Sequence, residues 1–280
     1  WAKKDAGAWS IPKGEFGDDE SPLDAARREF REELGVEAPD VDYAELGTMT
    51  SGEARLVASL LLNLIMFGFS LIAAIGTAFL AGPTLAGEVE SGQALALLAR
   101  PVRRSSVLLG KWLGLAAFGA GYVVLAGLAQ ILVVRGVVGY WPPAPATGLA
   151  LLAAETIVLL TLALLLSSVV STMASGIVAV GLFGATWVAG VVGGLGAALG
   201  NEGVERVGTV SKILLPTDGL WRGAMNAFQD PGALLQMGTG EQGFPFLADA
   251  PLTGAYLAWT VVWVAVIWGL TALSFSRRDV

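Results

Sequence analysis

Glu29, Glu32 and Glu33 stand at i, i+3 and i+4 of a short segment, a spacing that turns three carboxylates toward one face of a helix. Like charges crowded together repel unless a hard cation sits among them, and an all-oxygen set suits Mg²⁺ or Mn²⁺. The plainer alternative is a solvated charged surface on which Arg28 pairs with Glu32. The helix that must carry them has readable ends. Ser21 can accept a bond from a free backbone N–H, Pro22 suits the first helical position, Asp24 places an acid in the first turn, and Gly35 can close the helix in the left-handed conformation. Leu23, Ala26, Phe30 and Leu34 share another side, which needs a surface to pack on.

Gly14, Glu20 and the run Arg28-Glu29-Phe30-Arg31-Glu32-Glu33-Leu34-Gly35-Val36 have the spacing of the Nudix box, and Trp9-Ser10-Ile11-Pro12-Lys13-Gly14-Glu15 is similar to its lead-in. On these residues the segment resembles the Nudix hydrolases. The resemblance implies Mg²⁺-dependent attack of water on a diphosphate linked to another group. Glu29, Glu32 and Glu33 would be metal ligands or base, Arg28 would orient them, and Glu20 would assist the metal shell. A Nudix fold needs a mixed sheet between helices, yet only one strand is predicted, Val41–Leu46, and eight residues precede Trp9. A fragment this small buries too little surface to fold unaided. Residues 1–51 are therefore expected to be a truncated, inactive α/β Nudix segment that holds Mg²⁺ only if it is active after all.

The rest of the chain is a different material. Of 280 residues, 54% are hydrophobic and 15% charged, with no cysteine and no histidine, which excludes a disulfide scaffold, a cysteine zinc site and histidine catalysis. Residues 1–55 hold 14 Asp/Glu against 7 Lys/Arg, whereas residues 56–280 hold 10 of each. The chain's whole excess charge thus lies in its first fifth. Between Arg55 and Glu88 run 32 uncharged residues. Since about 20 helical residues cross the hydrocarbon layer, this run can span it. The predicted spans are Leu56–Ala81, Trp112–Val134, Gly148–Leu166, Gly176–Leu199 and Gly254–Phe275. The fold class is mainly α: a polytopic membrane helix bundle of five transmembrane helices over residues 52–280. Glu155 is the one acid inside a span, and reads first as a carboxylate snorkelling to the interface, with a transport-path role as the alternative. Gly110-x-x-x-Gly114, Gly119-x-Gly121 and Gly190-x-x-Gly193-Gly194 are expected to let helix backbones approach.

Short-loop cations set the orientation. Arg100, Arg103, Arg104 and Lys111 follow the first span and Arg277 and Arg278 the last, so both places read as cytoplasmic. Tyr140-Trp141-Pro142-Pro143 and the segment 200–253 fall on the other face, and five crossings then put the amino terminus outside. Within the first cytoplasmic loop, Val89, Leu95, Leu97 and Leu98 make an apolar side of a short helix that starts at Glu88, Glu90 and Gln93 and is stopped by Pro101. An amphipathic connector would look the same.

Gly87-Glu88-x-Glu90-Ser91-Gly92, then Leu97-Leu98-Ala99-Arg100-Pro101-Val102-x-Arg104-Ser105 and Gly110-Lys111, are similar to the coupling segment of ABC-2 type transporter permeases. Leu215-Pro216-Thr217-Asp218-Gly219-Leu220-Trp221-Arg222 and Phe275-Ser276-Arg277-Arg278-Asp279 resemble stretches of the family's multi-copper-maturation branch. The resemblance covers about residues 55–280. It implies a non-enzymatic transport subunit that works as a dimer. Glu88, Glu90, Gly92, Arg100, Pro101 and Arg104 would couple it to a separate ABC ATP-binding subunit. ATP would be bound by that partner, because this chain has no Gly-x-x-x-x-Gly-Lys-Ser/Thr phosphate loop. Family members usually cross six times; here the first crossing is replaced by residues 1–51. With Trp1 in place of methionine, this raises two further alternatives: a fragment or non-functional fusion of two reading frames, or a membrane-anchored Nudix hydrolase.

Overall fold

The computed structural model describes residues 20–37, 51–87, 103–230, 248 and 250–277, and every element among them is helical. The chain divides into two compact units, Trp1–Ser51 and Gly52–Val280. In the first, α1 spans Pro22–Leu34, with the Ser21 hydroxyl accepting from the Asp24 N–H at 3.2 Å and Gly35 in the left-handed conformation at φ 72°. Both caps were legible in the residue types. The strand predicted over Val41–Leu46 lies outside the described residues.

The second unit contains α2 (Ser51–Gly82), a π-helical turn (Pro83–Gly87), α3 (Arg104–Val138), α4 (Pro145–Ser167), α5 (Thr172–Ala198), α6 (Glu202–Leu214), α7 (Thr217–Phe228) and α8 (Gly254–Arg277). Five of these, α2 with its π turn, α3, α4, α5 and α8, are long and apolar enough to cross a membrane, as the sequence predicts. Each is longer than its predicted span at one or both ends. Hydropathy marks only the apolar part of a helix, while backbone hydrogen bonding continues through polar ends such as Arg104–Lys111.

The core forms around α4, an apolar helix with no polar face, which is the pattern of a helix buried on all sides. Leu152, Val158, Leu159, Leu160, Ala163 and Leu164 are all but inaccessible. Helices α3, α5, α7, α8 and the π turn pack on α4. The large side chains Phe67 of α2, Trp187 of α5 and Trp221 of α7 meet with centroid separations of 4.9 and 5.5 Å.

The glycines do not all serve packing. Gly110, Gly114 and Gly121 have open space where a Cβ would sit, so that expectation fails within the protomer for these positions. Gly193 is a true close approach, since a Cβ there would lie 2.7 Å from Gly208 Cα of α6. Helices α5 and α6 therefore pack backbone against backbone, in the manner small residues permit.

Candidate functional site

In the first unit, Arg28 gathers the carboxylates. Its Nε and Nη2 each donate to Glu20 at 3.1 Å, Nη1 donates to Glu29, and Glu32 lies 3.7 Å from Nη1. The Glu20 and Glu29 bonds, in that order, hold the guanidinium pKa above its ordinary value. Glu33 does not join this ion-pair set, although it has contacts of its own. Among the described residues no group of three carboxylates could hold a metal ion. The cation at the centre of Glu20, Glu29 and Glu32 is Arg28.

Of the proposed coupling residues, Glu88, Glu90, Gly92, Arg100 and Pro101 lie outside the described residues. Arg104 is described, and so is the framework on both sides of the segment. A cation in the first turn of a helix opposes that helix's own dipole. Arg104 is instead turned onto the carboxyl end of α8, donating to the Phe275 and Ser276 carbonyls at 3.4 Å. Lys111 does the same for the end of α2, donating to the Thr84 carbonyl at 2.9 Å. Ser167, at the end of α4, donates to the Gly82 carbonyl at 2.7 Å and accepts from the Ala86 N–H at 3.0 Å, which satisfies two backbone groups freed by the π turn. Ser168 donates to or accepts from Ser274 at 2.9 Å. Four helix ends are thus tied together where the chain leaves and re-enters the bundle. Trp141 lies beyond the far end of α3, whose 35 residues rise about 52 Å at 1.5 Å each. There the ring lies under the Arg135 guanidinium at 5.0 Å.

Glu155 corrects its first reading. The residue is 4% exposed and accepts a 3.0 Å bond from the Ser70 hydroxyl of α2. Its carboxyl is buried inside the bundle and does not snorkel outward. The reason is packing: α4 is covered on all sides by its neighbours, and the face that carries Glu155 meets Ser70 of α2.

The segment between α5 and α8, read from sequence as a long outer stretch, contains two helices that the charge count did not reveal. Asn201 caps α6 by accepting from the Val204 N–H at 3.2 Å. The far end of α6 is closed by α8: the Tyr256 hydroxyl donates to the Lys212 carbonyl at 3.0 Å, Trp259 Nε1 to Ile213 at 3.1 Å and Trp263 Nε1 to Leu214 at 2.8 Å. Three consecutive terminal carbonyls, which have no partner within their own helix, are met by residues at i, i+3 and i+7 of one α8 face. That spacing is visible in the sequence and was the available signal for a helix end nearby.

Asp218, in the first turn of α7, is 2% exposed. Its Oδ2 accepts from Arg222 Nε at 3.0 Å and faces Lys212 Nζ at 3.9 Å. A Cβ on Gly190 would strike this carboxylate, so a glycine of α5 makes the room it occupies. Burial pushes the Asp218 carboxyl above its ordinary range, with Arg222 and then Lys212 acting against that. Burial also lowers Lys212, helped by Arg222 and opposed by Asp218. Nearby, the Thr186 and Thr217 hydroxyls share a bond of 3.0 Å. The result is a cation pair fastened by one buried carboxylate at the end of the bundle opposite Arg104.

No curated protein matches the chain. Residues 20–280 match the family model described as ABC-2 family transporter protein. With five helices able to cross a membrane over most of that match, the chain belongs to the ABC-2 transporter family and is a multi-pass membrane protein of the transport component, which is not itself catalytic.

Proposed function

We propose that this chain is the permease subunit of an ATP-driven ABC-2 transporter. It works as a dimer, and a separate ATP-binding subunit moves it by pushing on residues 88–102. The observation that carries the reading is the knot of helix ends around that segment. Through Arg104, Lys111, Ser167 and Ser168, displacement of the loop's two attachment points pulls on α2, α3, α4 and α8 together instead of bending one helix. Such a junction is what a lever needs. The cations at Arg103, Arg104 and Arg277 support a cytoplasmic location for this end, and Tyr140 and Trp141 support an outer interface for the other. On that topology the carboxyl terminus is cytoplasmic and the amino terminus outside.

Reversing the charge at Glu88 and Glu90 to lysine tests the partner contact. With an ABC ATP-binding subunit co-expressed and captured through an affinity tag, the double variant should be recovered with it at least tenfold less well. Insertion into membranes should be unchanged. Equal recovery of wild type and variant would remove the coupling assignment.

A further inference from the structure

We propose that the cavity enclosed by α5, α6, α7 and the start of α8 is a binding site for a phosphate-bearing ligand, held by Lys212 and Arg222. The cavity measures about 430 Å³, a volume in the range of small-molecule sites and sufficient for a phosphorylated glycerol or sugar. Both cations line it. Both are fastened to the same oxygen of Asp218, at 3.0 and 3.9 Å, so their nitrogens lie within about 7 Å of each other. One phosphate spans that distance with a charge-assisted hydrogen bond of about 2.8 Å to each.

The donors on these cations are not used up. Arg222 gives Asp218 only its Nε–H, and Lys212 is beyond hydrogen-bond reach of the carboxylate, so among the described residues neither the ammonium nor the two terminal guanidinium nitrogens have an acceptor. The last carbonyls of α6 already accept from Tyr256, Trp259 and Trp263. Asp218 fixes where the cations stand and balances one of them, and Glu205 elsewhere in the wall balances the other, so the site's pull on an anion comes from the free donors of the two cations and not from a net charge. Glu205 lines the cavity from the first turn of α6 and comes within 4.0 Å of neither cation. The remaining wall is hydroxyl and small apolar surface, including Thr209, Gly223 and Leu252. A planar guanidinium beside a point-like ammonium is a pairing suited to phosphate. Two further cavities among the described residues, with linings such as Leu162, Leu182 and Val207 in one and Ile72, Leu80 and Phe118 in the other, offer no such pair.

The same headgroup chemistry occurs on a free ester and on a lipid, so two probes are used with the full chain purified in a neutral maltoside micelle. Glycerol 3-phosphate represents the free ester and phosphatidic acid the lipid. The readout is the unfolding temperature against probe concentration. At least one probe should stabilise the wild type. Stabilisation by glycerol 3-phosphate identifies a soluble ligand, and stabilisation by phosphatidic acid alone identifies a lipid headgroup. Lys212→Gln should weaken the apparent affinity roughly tenfold or more, the loss expected for a hydrogen bond to a charged group. Thr209→Trp, which fills the space without touching the charges, should abolish the shift. Thermal stability of both variants without probe confirms that they are folded. Two results overturn the proposal: neither probe stabilises the wild type, or Lys212→Gln or Thr209→Trp responds as the wild type does. ATP and the partner subunit are absent from the assay, so its failure leaves the permease assignment untouched.

Discussion

Replacing Gly193 by alanine adds one methyl group where the structure has no room for it. The new Cβ would lie 2.7 Å from Gly208 Cα, 2.9 Å from Gly208 N and 3.3 Å from the Glu205 carbonyl oxygen, all of them backbone atoms of α6. No rotamer change can relieve a clash with backbone. Ordinary carbon contact begins at about 3.5 Å, so α6 must retreat by roughly 1 Å from α5. Overpacking of this kind costs about 1–3 kcal/mol, against which alanine recovers about 0.5–1 kcal/mol of helical preference over glycine. A retreat also strains the three bonds from Tyr256, Trp259 and Trp263 to the end of α6. The net expectation is a loss of about 1–2 kcal/mol. Gly181 on the same helix is the control, because nothing lies within 4 Å of a Cβ there and the same substitution should gain about 0.5–1 kcal/mol. Unfolding in mixed micelles, followed by far-ultraviolet circular dichroism, compares the two directly. The reasoning fails if Gly193→Ala is as stable as Gly181→Ala, for then the α5–α6 contact yields as easily as open space.

Two further substitutions probe the opposite ends of the bundle. Ser167→Ala leaves the buried Ala86 N–H and the Gly82 carbonyl without their partner, and should cost about 1–3 kcal/mol in the same unfolding assay, with increased amide exchange at Ala86. For Asp218, burial raises the folded-state pKa above the unfolded value of 3.8, so the folded state binds the proton more tightly. Wild-type stability should then fall as pH rises above 3.8, while Asp218→Asn lacks that dependence. The stability of the variant relative to wild type should therefore increase with pH. A difference that shrinks instead would mean that Arg222 and Lys212 outweigh burial.

The spans were readable because crossing a bilayer demands a long apolar run whatever the neighbours are, and the α1 caps because Ser21 and Gly35 act on backbone groups within four residues. What failed to show depends on contacts distant in sequence. Gly110 and Gly193 are alike as residue types, yet one faces open space and the other the backbone of α6. Glu155 reads as an interfacial acid until it is seen buried in the bundle with Ser70 of another helix donating to it. Asp218 was noted only within a family-like stretch. Its burial depends on Gly190 and its charge balance on Lys212 and Arg222, and a count of charges over the segment averages these away. In the amino-terminal unit, Glu20, Glu29 and Glu32 would serve equally to ligate Mg²⁺ or to pair with Arg28, so spacing alone does not separate the two uses.

The two ends of the membrane unit close their helices by different chemistry, and that difference bears on which end can move. At the Arg104 end, the cation's own ties to α8 are donor–carbonyl contacts of 3.4 Å, long for a hydrogen bond and open to competition from salt or from a partner's carboxylates, beside the neutral 2.9 Å bond between Ser168 and Ser274. At the other end, the carbonyls of α6 are held by a phenol and two indoles at 2.8–3.1 Å, neutral donors that salt does not screen. Helix α6 is pinned again by the glycine contact with α5. A protein partner bringing charge to the Arg104 end can thus exchange that cation's contacts for others, whereas motion at the α6 end must break neutral bonds and separate packed backbones. In the proposed cycle the loop end takes the push first, and its ties pass the displacement to α2, α3, α4 and α8. The α6–α7 hairpin then moves as a block with α5 and α8, carrying the cavity at Lys212 and Arg222 without dismantling it.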